Sequence, residues 1–288
     1  MQAQNSDRIA LRKLYLNLCV LFLPLVFLFS CGKSSMNTVT PTPVTKTTTT
    51  TTDTAVTPVY SLIWSDEFNG TAVDTTKWNF ETGNLGVNQE QEYYQAANAT
   101  VANGNLVITA RQQNAGNFYY TSARINSANK VTALYGRIEA RIALPIVQGL
   151  WPAFWMLGAD INNGVTWPSC GEIDIMEHVN TDSLIYGTIH WNSGGAAQYG
   201  STTSSTPSAY HIYAVEWDAN AIRWYVDNTL YVTANIANNI NNTGCFHNPF
   251  FIILNLAVGG TFPGSNVGGA QLPASMYVDY VRVYKQTN

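Results

Sequence analysis

The sequence predicts an all-β sandwich built from two antiparallel sheets. Two observations carry this expectation. From residue 60 onward, short runs of alternating or continuously apolar residues recur, with turn signals between them. No long amphipathic helix and no internal repeat interrupts that pattern. Of the 288 residues, those left after a non-globular N-terminal part suit one such domain.

Arg8, Arg12 and Lys13 precede an apolar run from Leu14 to Phe29. A basic start and a short apolar core read as a secretory signal. The run falls short of the ~20 residues a spanning helix needs. It ends in Leu28-Phe29-Ser30-Cys31-Gly32, which resembles a bacterial lipobox; the resemblance implies lipidation of Cys31 and a cell-envelope location. Ordinary cleavage and secretion is the alternative, and both readings export the protein. Residues 32–59 are rich in Thr, with Pro41, Pro43 and Pro58. Such a segment has too little apolar surface to offset its ordering entropy and reads as an extended tether. The domain is expected over residues 60–288.

Within it, Leu106 to Ala110 reads as a strand after the turn signal Asn103-Gly104-Asn105. In Tyr135 to Leu144, Ile138, Ala140, Ile142 and Leu144 take one face, and Arg137, Glu139 and Arg141 the other. Tyr186 to Trp191 is another strand. Tyr213, Val215 and Trp217 alternate, as do Ile222, Trp224 and Val226, with Asp218-Ala219-Asn220 turning between them. Phe250 to Val258 is almost wholly apolar, as a strand covered on both sides should be. Val278 to Tyr284 closes the chain.

Aromatics make up 12% of residues and charged groups only 11%, with a net charge of −4. Nucleic-acid binders need clustered Lys and Arg, so that class is disfavoured. The balance suits a neutral ligand with flat apolar faces, such as a sugar, and offers an anionic polymer no strong steering. Two of the four Cys, Cys170 and Cys245, fall in the domain. Spacing alone leaves a disulfide and two free thiols equally open.

The chemistry concentrates in Cys170-Gly171-Glu172-Ile173-Asp174-Ile175-Met176-Glu177-His178. Three carboxylates fall within six residues of what reads as buried strand, where unpaired acids are costly. Glu172 and Asp174 share a face, and strict alternation puts Glu177 on the other. A one-residue bulge around Ile175-Met176 would bring Glu177 back beside them. Two carboxylates flanking a scissile bond are the equipment of glycoside hydrolysis, with one as nucleophile and the other as acid and then base. A third between them orients the nucleophile and raises the pKa of the acid.

The segment Glu172-Ile173-Asp174-Ile175-Met176-Glu177 resembles the signature of glycoside hydrolase family 16, in the bulged form of its laminarinase-like endo-β-1,3-glucanases. Further resemblance comes from Trp64-Ser65-Asp66-Glu67-Phe68, Tyr120 to Ile125, Tyr135 to Arg141, Gly149 to Met156 and Val278 to Tyr284, in the family's order. It implies a concanavalin A-like jelly roll with a concave sugar-binding sheet. It also implies roles: Glu172 as nucleophile, Asp174 as assistant and Glu177 as acid/base.

Substrate contacts are implied for Asn88, Arg124, Trp151, Trp155 and His190, and Trp167, a few residues before the acids, is a further candidate. Trp151 and Trp155, four apart on a strand, share a face and would offer stacking surfaces. Arg124 reads equally as the partner of an acid in the sheet. His190, matched to a family residue near the acid/base, reads equally as structural. A structural Ca²⁺ is implied at Glu67, Gly104 and Asp279, whereas catalysis needs no cofactor. The expected enzyme is a retaining, monomeric endo-β-1,3-glucanase. Two alternatives stand beside it: another specificity of the same family (mixed-linkage glucan or galactan), or a non-catalytic glycan-binding lipoprotein.

Overall fold

The computed structural model describes residues 58–288. The signal segment, Cys31 and nearly all of the expected tether lie outside the described residues. The strands are, in chain order, β1 (Tyr60–Asp66), β2 (Asn79–Phe80), β3 (Glu92–Tyr94), β4 (Ala99–Ala102), β5 (Asn105–Ala115), β6 (Phe118–Ser122), β7 (Arg124–Asn126) and β8 (Gly136–Ala143). They continue with β9 (Leu150–Gly158), β10 (Glu172–Glu177), β11 (Leu184–Asn192), β12 (Ala196–Ser204), β13 (His211–Trp217), β14 (Ala221–Val226), β15 (Thr229–Asn235), β16 (Phe250–Val258) and β17 (Ala274–Gln286).

They form two sheets, as expected. One runs β15-β14-β13-β8-β17-β5-β6-β3, with β1 and β4 added beside β17 and β5. The other runs β12-β11-β10-β9-β16-β7-β2. Pairing is antiparallel throughout except between β3 and β6. The expected alternation holds where it matters. Ile138, Ala140 and Ile142 on β8 are buried, as are Tyr213, Val215 and Trp217 on β13 and Ile222 and Trp224 on β14. From the second sheet, Phe154, Met156, Ile173, Ile175, Ile252 and Leu254 face them across one core. β16 lies in mid-sheet, between β9 and β7, and all nine of its residues are buried. The Asn103-Gly104 turn is made by two left-handed residues, φ 53° and 73°, the pairing a tight hairpin demands.

Cys170 and Cys245 are free thiols. Burial pushes them up to about 11 and about 12 respectively.

Candidate active site

The site starts with a backbone irregularity. Against β9, Asp174 pairs with Trp155 and Met176 with Phe154, so Ile175 is the extra residue. Against β11, Asp174 pairs with Thr188 and Glu177 with Tyr186, three residues opposite two. Ile175 and Met176 both turn into the core, at 1% and 0% exposure. Glu177 therefore returns to the face that carries Glu172 and Asp174. Two fixtures hold this strand. Gly171, at φ 81°, has no room for a Cβ beside Phe250 and Cys245, and it delivers the chain to Glu172. From the opposite sheet, the buried Trp224 indole N–H donates to the Asp174 carbonyl at 2.7 Å.

The three acids lie on the floor of a cleft of about 880 Å³. Its lining crosses six strands of the second sheet, from β12 to β7. At the usual strand spacing that is roughly 24 Å of groove, enough for several sugar units in a row. Every sequence-predicted contact residue lines it: Asn88, Arg124, Trp151, Trp155, Trp167 and His190. Trp151, Ala153, Trp155 and Leu157 present alternate side chains of β9 to the groove.

The donors divide the acids into two ends. The Trp167 indole donates to Glu172 Oε2 at 3.0 Å. The Trp151 indole donates to Glu177 Oε1 at 2.8 Å. His190 stands closest to Asp174 and Glu172 and acts on Glu177 as well. Antiparallel register puts it across from Glu172, and its Nε2 lies 3.2 Å from Asp174 Oδ2 and 3.9 Å from Glu172 Oε1. The Asp174 contact has the distance of an ion pair but is off line for a hydrogen bond, so Oδ2 has no hydrogen-bond partner.

Burial pushes all three carboxyls above the usual range, and for Glu172 and Glu177 the charge of Asp174 adds to it. Three crowded acids do not ionise together. Trp167, His190 and the more distant Arg124 favour negative charge on Glu172, and Trp151 and His190 favour it on Glu177. Retaining hydrolysis requires one acid of the pair ionised and the other protonated. Asp174→Asn should keep the geometry and cost about 10- to 100-fold in kcat/KM through the loss of one charge beside the other two acids. Without the Asp174 charge the Glu177 pKa falls, so the alkaline limb of the pH–rate profile should move to lower pH. An unmoved limb would remove Asp174 from this role.

Arg124 pairs with an acid and also lies over an indole at the edge of the cleft. Its guanidinium lies 4.8 Å from the Trp155 ring centre, and its Nε is 3.1 Å from Glu81. The Trp155 indole N–H donates to Asn255 Oδ1 at 2.8 Å. Asn255, Glu90, Tyr186 and Phe262 also line the cleft and were not singled out from sequence. Asn255 had a readable signal, as the one polar residue in the apolar run of β16. The Phe262 ring meets those of Tyr186 and Trp151 edge-on, at 4.9 and 5.5 Å, from a loop with no periodicity to announce it.

The proposed calcium ligands do not fit that role as placed. Arg282 donates twice to the Glu67 carboxylate and Arg141 once to Asp279, so both acids are already neutralised. Among the described residues, the acid and histidine side chains grouped closely enough for one ion are Glu172, Asp174 and His190, within 4.8 Å. A metal there would occupy the Glu172 and Asp174 carboxylates in the cleft.

A jelly-roll sandwich with paired acids and indoles along an open groove defines a polysaccharide-processing β-sandwich protein. The family model "Glycosyl hydrolases family 16" matches residues 86–282. The chain belongs to that family. It is 39% identical over 246 residues to a beta-glucanase of Rhodothermus marinus, covering 79% of this chain and 86% of that protein. It is 39% identical over 274 residues to a keratan-sulfate endo-1,4-beta-galactosidase of Sphingobacterium multivorum, covering 90% of this chain and 64% of that one. The catalytic domain of a laminarinase, an endo-1,3-beta-glucanase from Thermotoga petrophila, superposes with a TM-score of 0.75 at 40% identity, covering 81% of this chain and all of that domain. The chain spans only 35% and 38% of two further curated relatives.

Proposed function

We propose that the protein cuts internal β-1,3 linkages of a laminarin-type glucan, with retention, through a covalent glycosyl–enzyme intermediate. The observation that carries this is the Ile175 bulge, which sets Glu172 and Glu177 on one face at the floor of an open groove. The glucan passes across β10 between them. Trp151 and Trp155 offer stacking faces, and their N–H groups hold Glu177 and Asn255. Glu172 attacks the anomeric carbon while Glu177 protonates the leaving oxygen. Glu177 then takes a proton from the water that releases the product. Both groups come from the chain, and the steps draw on no metal. A structural calcium would have to displace Arg282 and Arg141 from their carboxylates, so none is included.

The galactosidase among the relatives keeps a galactan reading in view. Arg124 is the cleft's lining cation, and Glu81 already pairs with it. A groove floored by three acids disfavours a sulfated polymer, whereas a neutral glucan meets no such charge. Reducing-sugar release from laminarin, lichenan, agarose and keratan sulfate tests the choice. Laminarin should lead; activity confined to a galactan would overturn the substrate, and binding without release would overturn the enzyme.

We also propose membrane anchorage through lipidated Cys31. Cys31→Ala should shift the protein from the membrane to the soluble fraction, and an unchanged distribution would end that proposal.

A further inference from the structure

Outside the catalytic trio, one acid is sealed from solvent. Glu92 on β3 is 0% exposed. Its Oε2 accepts a 2.6 Å hydrogen bond from the Val258 N–H, and its Oε1 has no donor. An ionised carboxylate oxygen buried without a donor is costly. The neighbouring acid is Glu90, two residues before it in the chain, whose charge bears on Glu92. Two carboxylates bond each other only if one holds a proton. The buried member is the one to hold it, and burial with the Glu90 charge pushes Glu92 well above the carboxylate range.

Glu90 links two parts of the groove. Its Oε1 accepts from the Asn88 amide at 3.1 Å, and its Oε2 accepts from the Tyr94 hydroxyl at 3.1 Å. The Tyr94 oxygen accepts from the Asn255 amide at 3.4 Å, and Asn255 holds the Trp155 indole. Asn88 and Gln89 are both left-handed, at φ 51° and 57°, so this turn needs outside support.

We propose that Glu92 is a positioning residue: as the neutral acid it donates a hydrogen bond to the Glu90 carboxylate and so fixes the Asn88–Glu90–Trp155 wall of the groove. This rests on the glucan-cleaving reading for its substrate. The ionisable groups packed around Glu92 are Glu90, Tyr94 and its register partner Tyr120 on β6. From β7, Arg124 acts on Tyr94 and is itself paired with Glu81. β16 supplies the Val258 N–H and the Asn255 amide. As pH rises through the Glu92 ionisation, two anions face each other and the wall loosens. Binding weakens through this wall, separately from the ionisation of the acids on β10.

The test is KM for laminarin against pH. Wild type should show KM rising about tenfold over the alkaline range, the worth of one charged hydrogen bond. In Glu92→Gln the amide donates to Glu90 and its carbonyl accepts from Val258, so KM should stay flat with pH. Glu92→Leu, which has no donor, should show the raised KM at every pH, with kcat changed less than about threefold. A second measurement needs neither substrate nor a folded variant at Glu92. Carbon-13 NMR of wild type labelled at the glutamate carboxyls should show one more protonated glutamate at neutral pH than Glu172 and Glu177 supply. Inactivity on laminarin with that resonance present faults the substrate reading and leaves the proton assignment standing. The same KM rise in wild type and Glu92→Gln, or a missing resonance, overturns it.

Discussion

Glu172→Ala is expected to lose turnover on the order of 10⁶-fold, on laminarin and on an activated aryl glycoside alike. Without its carboxylate no covalent intermediate forms, and a better leaving group does not help. The truncation leaves a space bounded by the Trp167 indole N–H and His190, both within reach of the lost carboxylate. A small anion such as azide fits that space by charge. It would attack the anomeric carbon once, from the side that Glu172 occupied. The rescued product should therefore be the α-glycosyl azide, formed by a single inversion. In wild type, NMR of the first product should show the β-anomer, the mark of two inversions. An initial α-anomer would sink the double displacement.

The acid row was legible because three carboxylates in six residues fit neither a core nor a solvated strand. The bulge followed from asking where Glu177 would point. Trp151 and Trp155 were legible from strand periodicity, since neighbours four apart share a face on β9. What sequence did not show is set by pairing between distant segments. The contacts of His190 with Glu172 and Asp174 depend on the β10–β11 register, which local pattern does not fix. The Trp224 bond to the Asp174 carbonyl joins opposite sheets fifty residues apart. Glu90 and Glu92 follow Asn88 closely in the chain, but only burial distinguishes the proton-holding acid from an ordinary surface one. The arginine partners of Glu67 and Asp279 were hidden for a related reason: both acids look free in sequence, and the arginines that meet them come from β17 and β8.

Glu177→Ala should slow hydrolysis of laminarin by about 10²- to 10⁴-fold, the usual worth of a general acid. The departing sugar is a poor leaving group and needs the proton that burial keeps on Glu177. An activated aryl glycoside needs little protonation, so its first step should be largely spared. The second step still lacks a base for water, and the glycosyl–enzyme should accumulate as a burst. Azide needs no base. It would enter beside Trp151, whose indole N–H loses its acceptor in this variant and is free to donate to an anion. It attacks the intermediate from the face that Glu177 left, so the product should be the β-glycosyl azide. The two variants thus give opposite anomers from one reagent. Should Glu177→Ala give the α-azide and Glu172→Ala the β-azide, nucleophile and acid/base must be exchanged along β10, and with them the end of the row at which Trp167 and His190 stabilise charge.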